Sequence, residues 1–280
     1  MVFYDYNSAL VIYHHPCNDG MAALWAAHKY FTDLGVPVKT HPATYGEPPP
    51  NVKDREVYIL DFSYPKEVLL QMYETSRSLV VLDHHKTAKE DLADLDFCVF
   101  DMDRSGCGLT WDYFFPGLKR PWLIDYAEDR DLWNFKLPYS KEVNAVISSI
   151  QLDITSWDEL SKMDLSHVIA EGKAIVRYIQ KKVQEACDNA QIVTWEVEGL
   201  PTITLPIVNT SADTSDVLNK LAKESSSGIA LGWWVNKDGN YIYSLRSVGE
   251  IDITPIAKHF GGGGHKNAAG FKLSYYIMPA

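Results

Sequence analysis

The sequence predicts an α/β protein: an N-terminal domain built on a parallel sheet, a smaller C-terminal α/β domain, and an active site in the cleft between them. Two observations carry the first part. Ala9 to Tyr13, Val57 to Leu60 and Leu79 to Leu82 are short apolar runs without polar alternation, the mark of strands buried on both faces. Helical patterns separate them, and strand alternating with helix implies parallel pairing through right-handed crossovers. The third observation concerns the end of the chain, where the pattern changes to strands joined by turn residues.

The first run leads into residues 20–34, rich in Ala, Leu and Trp, which read as a helix. A second helix is expected over residues 65–76, with Pro65 suited to its first turn. Helical spacing over residues 167–188 marks a connector. Pro201 to Val208, Ile229 to Val235 and Tyr241 to Leu245 read as strands, and Asn236 to Gly239 as a hairpin turn between the last two. Asp213 to Lys223 and Pro255 to Phe260 read as helices, Phe271 to Tyr276 as a strand, and the EPPP stretch at 47–50 as a loop. The expected division is residues 1–165 for the first domain, 166–190 for the connector and 191–280 for the second.

Composition narrows the class. Of the 280 residues, 46% are hydrophobic and 22% charged, a globular balance with ample material for a core. There is no apolar run of membrane-spanning length, and the N-terminus lacks the basic region and small-residue cleavage site of a signal peptide. Cys17, Cys98, Cys107 and Cys187 form no CxxC pair, so reduced thiols and a cytoplasmic location are expected. The formal net charge of −11 argues against a protein that coats long duplex nucleic acid. It fits a short ligand gripped at one place.

Each of the three runs ends in chemistry-bearing residues. After the first come His14, His15, Cys17 and Asp19, then Gly20; after the second, Asp61; after the third, Asp83, His84 and His85. Ligands of open parallel sheets bind beyond the carboxyl ends of the strands, so three segments deliver metal-type side chains to one edge. Adjacent histidines point to opposite sides of a strand, so one can bind a metal while the other reaches a substrate phosphate. Asp83 can orient a ring. Taken singly, each signal also has a plain structural reading: Asp19 as a helix cap, Asp61 as a turn residue. The acids of residues 128–131 read by default as solvated charge around Arg130, though one of them can close a metal site. Gly261 to Gly264, followed by His265 and Lys266, removes side chains where backbone N–H groups can approach an anion. Arg246 and Ser247 end a strand where a guanidinium can fork onto a phosphate.

This set resembles the DHH phosphoesterase family with its DHH-associated C-terminal domain, which holds nanoRNA-degrading and cyclic-dinucleotide phosphodiesterases and the RecJ-type nucleases. The resemblance covers nearly the whole chain and rests on Asp83-His84-His85, SLRS and GGGGHKNAAGF. The family's first motif, His-x-Asp-x-Asp-Gly, reads His15-x-Cys17-x-Asp19-Gly20 here, with Cys17 where an Asp is usual. The resemblance implies two divalent ions, with His15 and Cys17 on one, Asp19 on the other and Asp61 bridging. His84 and Asp129 complete the second, with Asp131 as rival to Asp129. His85 faces the scissile phosphate, and Arg246, Ser247, Gly262, Gly263, Gly264 and His265 hold the substrate's end. Oxygen and imidazole ligands suit Mn²⁺; a thiolate from Cys17 tilts the site toward Co²⁺, Fe²⁺ or Zn²⁺. The expected activity is hydrolysis of short oligonucleotides or linear or cyclic dinucleotides to mononucleotides, with no membrane partner and with a homodimer left open. The alternatives are a pyrophosphatase or nucleoside-phosphate phosphatase, and a nucleotide-binding module that has lost catalysis, with Cys17 as the sign of its decay.

Overall fold

A computed structural model of the chain describes residues 8–277, so the leader reading rests partly on residues outside that range. Within it the chain forms two compact units that divide between Val176 and Arg177. That division falls inside the long helix expected as a connector, which runs Leu165–Asp188 (α8).

The first unit is built on a five-stranded parallel sheet. Its strands are β1 (Ala9–His14), β2 (Val38–Ala43), β3 (Glu56–Leu60), β4 (Ser78–Asp83) and β5 (Cys98–Phe100), in the order β2-β1-β3-β4-β5. α1 (Asn18–Asp33) follows β1, α2 (Lys66–Thr75) follows β3, and α3 (Lys86–Leu92) follows β4. Four further helices complete the unit before α8: α4 (Gly106–Phe114), α5 (Trp122–Asp131), α6 (Ser140–Ile147) and α7 (Ile154–Ser161). The three apolar runs are the three central strands, and they are buried on both faces. Ala9, Val11 and Tyr13 pack with α1, α4 and α5, while Leu10 and Ile12 pack with Leu69 and Met72 of α2 on the other side. Burying both faces is what permits an unalternated apolar strand.

β2 and β5 were not legible as strands. VKTHPA is polar, contains a proline and lies on the sheet edge, where a missing N–H is tolerated. β5 has three residues. Adding β2 beside β1 puts the reversal of strand order between β1 and β3, the place where such sheets open a crevice.

The second unit holds a six-stranded mixed sheet, ordered β10-β11-β9-β8-β7-β6. Its strands are β6 (Gln191–Trp195), β7 (Ile203–Asn209), β8 (Ile229–Val235), β9 (Tyr241–Ser247), β10 (Gly263–His265) and β11 (Ala268–Leu273). β8 and β9 form the antiparallel hairpin expected from the Asn236–Gly239 turn, and Gly239 takes φ +81 there. The helices are α9 (Thr214–Glu224), packed on one face with Val183, and α10 (Thr254–His259), packed on the other with Tyr243 and Phe271. No described helix is long and apolar enough to cross a membrane.

Gly20 is required by packing. A Cβ built there would lie 2.2 Å from the carbonyl oxygen of His14 and 2.9 Å from its Cβ. α1 therefore lies directly on the end of β1 because residue 20 has no side chain. Gly20→Ala forces backbone apart and should cost about 1–3 kcal/mol, at about 2–4 °C of unfolding midpoint per kcal/mol. Thermal unfolding followed by circular dichroism checks this; an unchanged midpoint contradicts the packing account.

Candidate metal centre

The C-terminal ends of β1, β3 and β4 bring His14, Asp61, Asp83 and His84 together, and the first turn of α1 adds Asp19. Ligand atoms of Asp19, Asp61 and His84 lie within 4.8 Å of one another, as do those of His14, Asp61 and His85. Asp61 belongs to both groups. His84 Nε2 lies 3.2 Å from Asp61 Oδ1, 3.4 Å from Asp131 Oδ2 and 3.7 Å from Asp19 Oδ2. His14 Nδ1 meets Asp61 Oδ2 at 3.3 Å.

Asp61 carries an unusual backbone. Its φ is +54, a left-handed conformation that Asp tolerates better than bulkier residues but that costs on the order of 1–3 kcal/mol. Its N–H donates to Leu82 O at 2.8 Å, which fixes the turn. Behind it stands Gly106, where an added Cβ would lie 2.4 Å from the Asp61 Cβ. The same segment holds Asp19, whose carboxylate accepts the N–H groups of Gly106 (2.6 Å) and Cys107 (3.1 Å) at the start of α4. A carboxylate there gains from the exposed N–H groups and the helix dipole. Ser105 caps α4, and its N–H donates to Glu128 Oε2 at 3.0 Å. Arg120 in turn donates to Glu128 Oε1 (2.6 Å) and Asp112 Oδ1 (3.0 Å). The Ser105–Gly108 segment was not singled out in the sequence. Its signal was a Ser followed by two glycines at the start of an apolar helix.

Asp83 is spent on orientation. Its Oδ1 accepts from the His84 N–H (2.7 Å), the His85 N–H (3.3 Å) and the His85 Nδ1–H (2.7 Å), and its Oδ2 accepts from the Ser63 hydroxyl (2.6 Å). Fixing Nδ1 leaves His85 Nε2 as the working atom.

The charges explain one another. Burial, reinforced by Asp131 and Asp61, pushes the Asp19 carboxyl well above its usual range. Burial acts the same way on Asp61, but hydrogen bonds from His14 and His84 outweigh it and hold Asp61 well below the carboxylate range. Burial works against the charged form of His84, yet Asp61, Asp131 and Asp19 raise it well above an ordinary histidine. His85 rises to about 9, Asp83 outweighing its burial. The Cys17 thiol is pushed well up by burial and then by Asp61, Asp131 and Asp19, so Cys17 belongs to the same cluster.

Does this set fit divalent cations? The His15 Nδ1 atom is buried without a hydrogen-bond partner, and Asp61 Oδ1, equally buried, has only the His84 ring nitrogen beside it at 3.2 Å; such atoms are costly unless something binds them. Several carboxylates and imidazoles crowd one buried spot, and hard-to-borderline divalent ions take that donor set. The residues fit. Asp19, Asp61, His84 and Asp131 offer atoms to one locus, and His14, Asp61 and His85 to a second.

Three expected assignments need comment. His14, not the His15 of the motif, is the histidine that meets Asp61; His15 lies at the next position of the same turn, with its N–H on Ala43 O. Asp129 accepts the N–H groups of Lys136 (2.9 Å) and Leu137 (3.3 Å) and so closes the loop after α5, whereas Asp131 reaches His84. The cap residue of α1 is Cys17, not Asp19, which faces the cluster instead.

The second unit's motif is more structural than expected. Gly261 takes φ +74, and its N–H and that of Gly262 donate to Lys258 O and Ala257 O, closing the end of α10. Gly263, Gly264 and His265 form β10, paired with β11. A Cβ at Gly262 or Gly264 would strike the backbone of β11, at Gly270 O (2.1 Å) and Ala268 O (2.5 Å). The N–H groups of Gly261 and Gly262 are therefore not available to an anion. Ser247 is buried and donates to Ile251 O while accepting from Asn267, so its hydroxyl shapes a turn. Arg246 donates to Ser215 Oγ (2.7 Å) and Leu245 O (2.9 Å).

The comparisons with known proteins agree with this architecture. The DHHA1 domain matches residues 203–276. Uncharacterized protein R106 of Acanthamoeba polyphaga mimivirus is 30% identical over 285 residues, spanning 95% of this chain and 67% of that protein. The pGpG-specific phosphodiesterase PggH from Vibrio cholerae shares the fold with a TM-score of 0.50 at 12% identity, over 95% of this chain and 93% of that one. The exonuclease RecJ bound to manganese does so with a TM-score of 0.51 at 13% identity, over 95% and 86%. An exopolyphosphatase-related protein from Bacteroides fragilis gives 0.50 at 14% identity, over 97% and 88%. A parallel sheet with His and Asp at its strand ends, followed by a mixed sheet, is the architecture of a class of phosphoesterases built around a metal centre. The chain belongs to the DHH phosphoesterase family and carries the family's DHHA1 domain as its C-terminal part.

Mn²⁺ at about 100 times its dissociation constant should stabilise the protein by about 2.7 kcal/mol for each ion bound, a rise in unfolding midpoint that EDTA reverses. Asp61→Asn should abolish the rise and Asp131→Asn should weaken it. Asp129→Asn should lower the metal-free midpoint and keep the response to Mn²⁺. Differential scanning calorimetry with and without metal separates these cases; an Asp61→Asn protein with the full response contradicts the assignment.

Proposed function

We propose that the protein hydrolyses short phosphodiesters, linear or cyclic dinucleotides and oligonucleotides of a few residues, to mononucleotides. The observation that carries this reading is the sharing of Asp61 between two ligand clusters, which suits a pair of cations on one phosphate. Bound there, two divalent ions, Mn²⁺ foremost, would supply Lewis-acid activation of water and neutralise charge on the phosphoryl oxygens.

The chain's own residues do the rest. Asp19, Asp61, His84 and Asp131, with His14, His15 and Cys17 at the first motif, would hold the ions. A thiol at position 17 in place of a carboxylate lowers the negative charge of the set and widens the choice toward Co²⁺, Fe²⁺ or Zn²⁺. His85, its Nδ1 fixed on Asp83, would turn its Nε2 to the scissile phosphate. It supports the negative charge that develops in the reaction. In the second unit Arg246 holds the substrate's terminal phosphate or nucleotide, with His265 and the β10 backbone as further contacts. The net charge of −11 favours a substrate too short to lie along the protein surface.

The test is a Mn²⁺-supplemented screen of dinucleotides, cyclic dinucleotides, oligonucleotides of increasing length and pyrophosphate, with products identified by mass. Dinucleotides and very short oligonucleotides should be the best substrates, with rates falling as length grows. Long duplex DNA cut as fast as a dinucleotide, or pyrophosphate preferred to every diester, contradicts the proposal. Arg246→Ala should raise KM roughly 10- to 150-fold, as expected for a lost charge-assisted hydrogen bond worth about 1.5–3 kcal/mol. Steady-state kinetics on the best substrate checks this, and an unaltered KM removes Arg246 from the substrate site.

A further inference from the structure

A residue with no place in the family motif stands at the metal centre. Tyr45 lies on the loop between β2 and β3, at the end of the polar edge strand that the sequence did not disclose. The loop is tied to the first motif: Thr44 Oγ1 donates to His15 O at 3.1 Å, and the His15 N–H donates to Ala43 O at 2.9 Å. This brings the Tyr45 ring edge-on to two histidines, with centroids 5.4 Å from His14 and 6.1 Å from His85. His14 and His85 are themselves 5.8 Å apart. The three rings form a triangle over the cluster of His14, Asp61 and His85. On its far side Tyr45 packs on Phe62 at 4.5 Å, and Phe62 on Tyr64 at 4.9 Å. Phe62 and Tyr64 are buried, so the ring has a firm backing.

The position of the hydroxyl matters most. Tyr45 is 47% exposed, and the packing of its ring on Phe62 and edge-on to His14 and His85 sets where that hydroxyl lies. A protonated phenol can donate, and this one makes no hydrogen bond to a partner among the described residues. It stands beside groups that would hold a phosphoryl oxygen, and phenols on rigid rings are suited to that task.

We propose that Tyr45 is a further substrate-contacting residue, its hydroxyl donating a hydrogen bond to a non-bridging oxygen of the phosphoryl group that would lie between a cation at His14 and Asp61 and the His85 imidazole. The inference rests on the phosphoesterase reading above. It adds a neutral donor to a centre otherwise made of acids and imidazoles. A neutral donor binds the phosphoryl oxygen without competing with the cations for the carboxylates.

Tyr45→Phe keeps the ring and its packing and removes only the donor. In the Mn²⁺-loaded full-length protein, kcat/KM on the best dinucleotide should fall about 10- to 150-fold. The dissociation constant for inorganic phosphate should rise about 10-fold or more. The unfolding midpoint and its response to Mn²⁺ should not move. Phosphate binding is read by calorimetric titration, so it judges Tyr45 even if the wild-type protein hydrolyses none of the diesters. In that case the proposed function fails while the phosphate contact is still measured. A Tyr45→Phe protein with wild-type kcat/KM and wild-type phosphate affinity overturns the inference. So does loss confined to Tyr45→Leu with Tyr45→Phe unaffected, since the ring would then serve only to pack against the histidines.

Discussion

Asp19, Asp61 and Asp83 are each at most 2% exposed, and they converge with Asp131 on His84 and His85 at the ends of three strands. Buried carboxylates without compensation cost several kcal/mol apiece, so the arrangement survives only if each charge is answered. Asp83 is answered by His85, Ser63 and two backbone N–H groups, and Asp19 by the start of α4. Asp61 is answered by His14 at one oxygen and His84 at the other, while the buried His15 Nδ1 nearby has no partner. What remains after this accounting is a surplus of negative and imidazole ligands at one point, and divalent cations answer it.

Much of the first unit serves that constraint. The apolar strands must be buried on both faces to carry their ends to a common rim. α1 can press against β1 only because residue 20 is glycine, and α4 can reach Asp61 only because residue 106 is glycine. The left-handed turn at Asp61 turns its carboxylate toward both histidines at the expense of backbone strain. Arg120, Asp112 and Glu128 brace the start of α4, which holds Asp19. The second unit follows a different logic: its glycines close a helix and admit a tight edge hairpin.

The legible parts of the sequence were those with strong local patterns. Unalternated apolar runs announced β1, β3 and β4, and the polar residues just after them announced the centre. The Asn236–Gly239 turn announced the β8–β9 hairpin. Edge strand β2 was hidden because its outer face is polar and it contains Pro42, and Tyr45 was hidden with it. Residues 86–161 form five helices that were not assigned, and with them went the role of Ser105 to Gly108. The choices between His14 and His15 and between Asp129 and Asp131 depend on which way a side chain turns at a strand or helix end. Spacing alone does not show that turn; the structure shows it in the His14–Asp61 contact and in the loop N–H groups on Asp129.

The central claim, that the carboxylate–imidazole cluster is a divalent cation site, is tested most directly by anomalous diffraction at the manganese edge from crystals grown with Mn²⁺. The account predicts anomalous peaks among Asp19, Asp61, His84 and Asp131 and beside His14, with Asp61 touching both ions. A well-diffracting crystal with Mn²⁺ bound elsewhere, and no peak within coordination distance of Asp61 and His84, would contradict it.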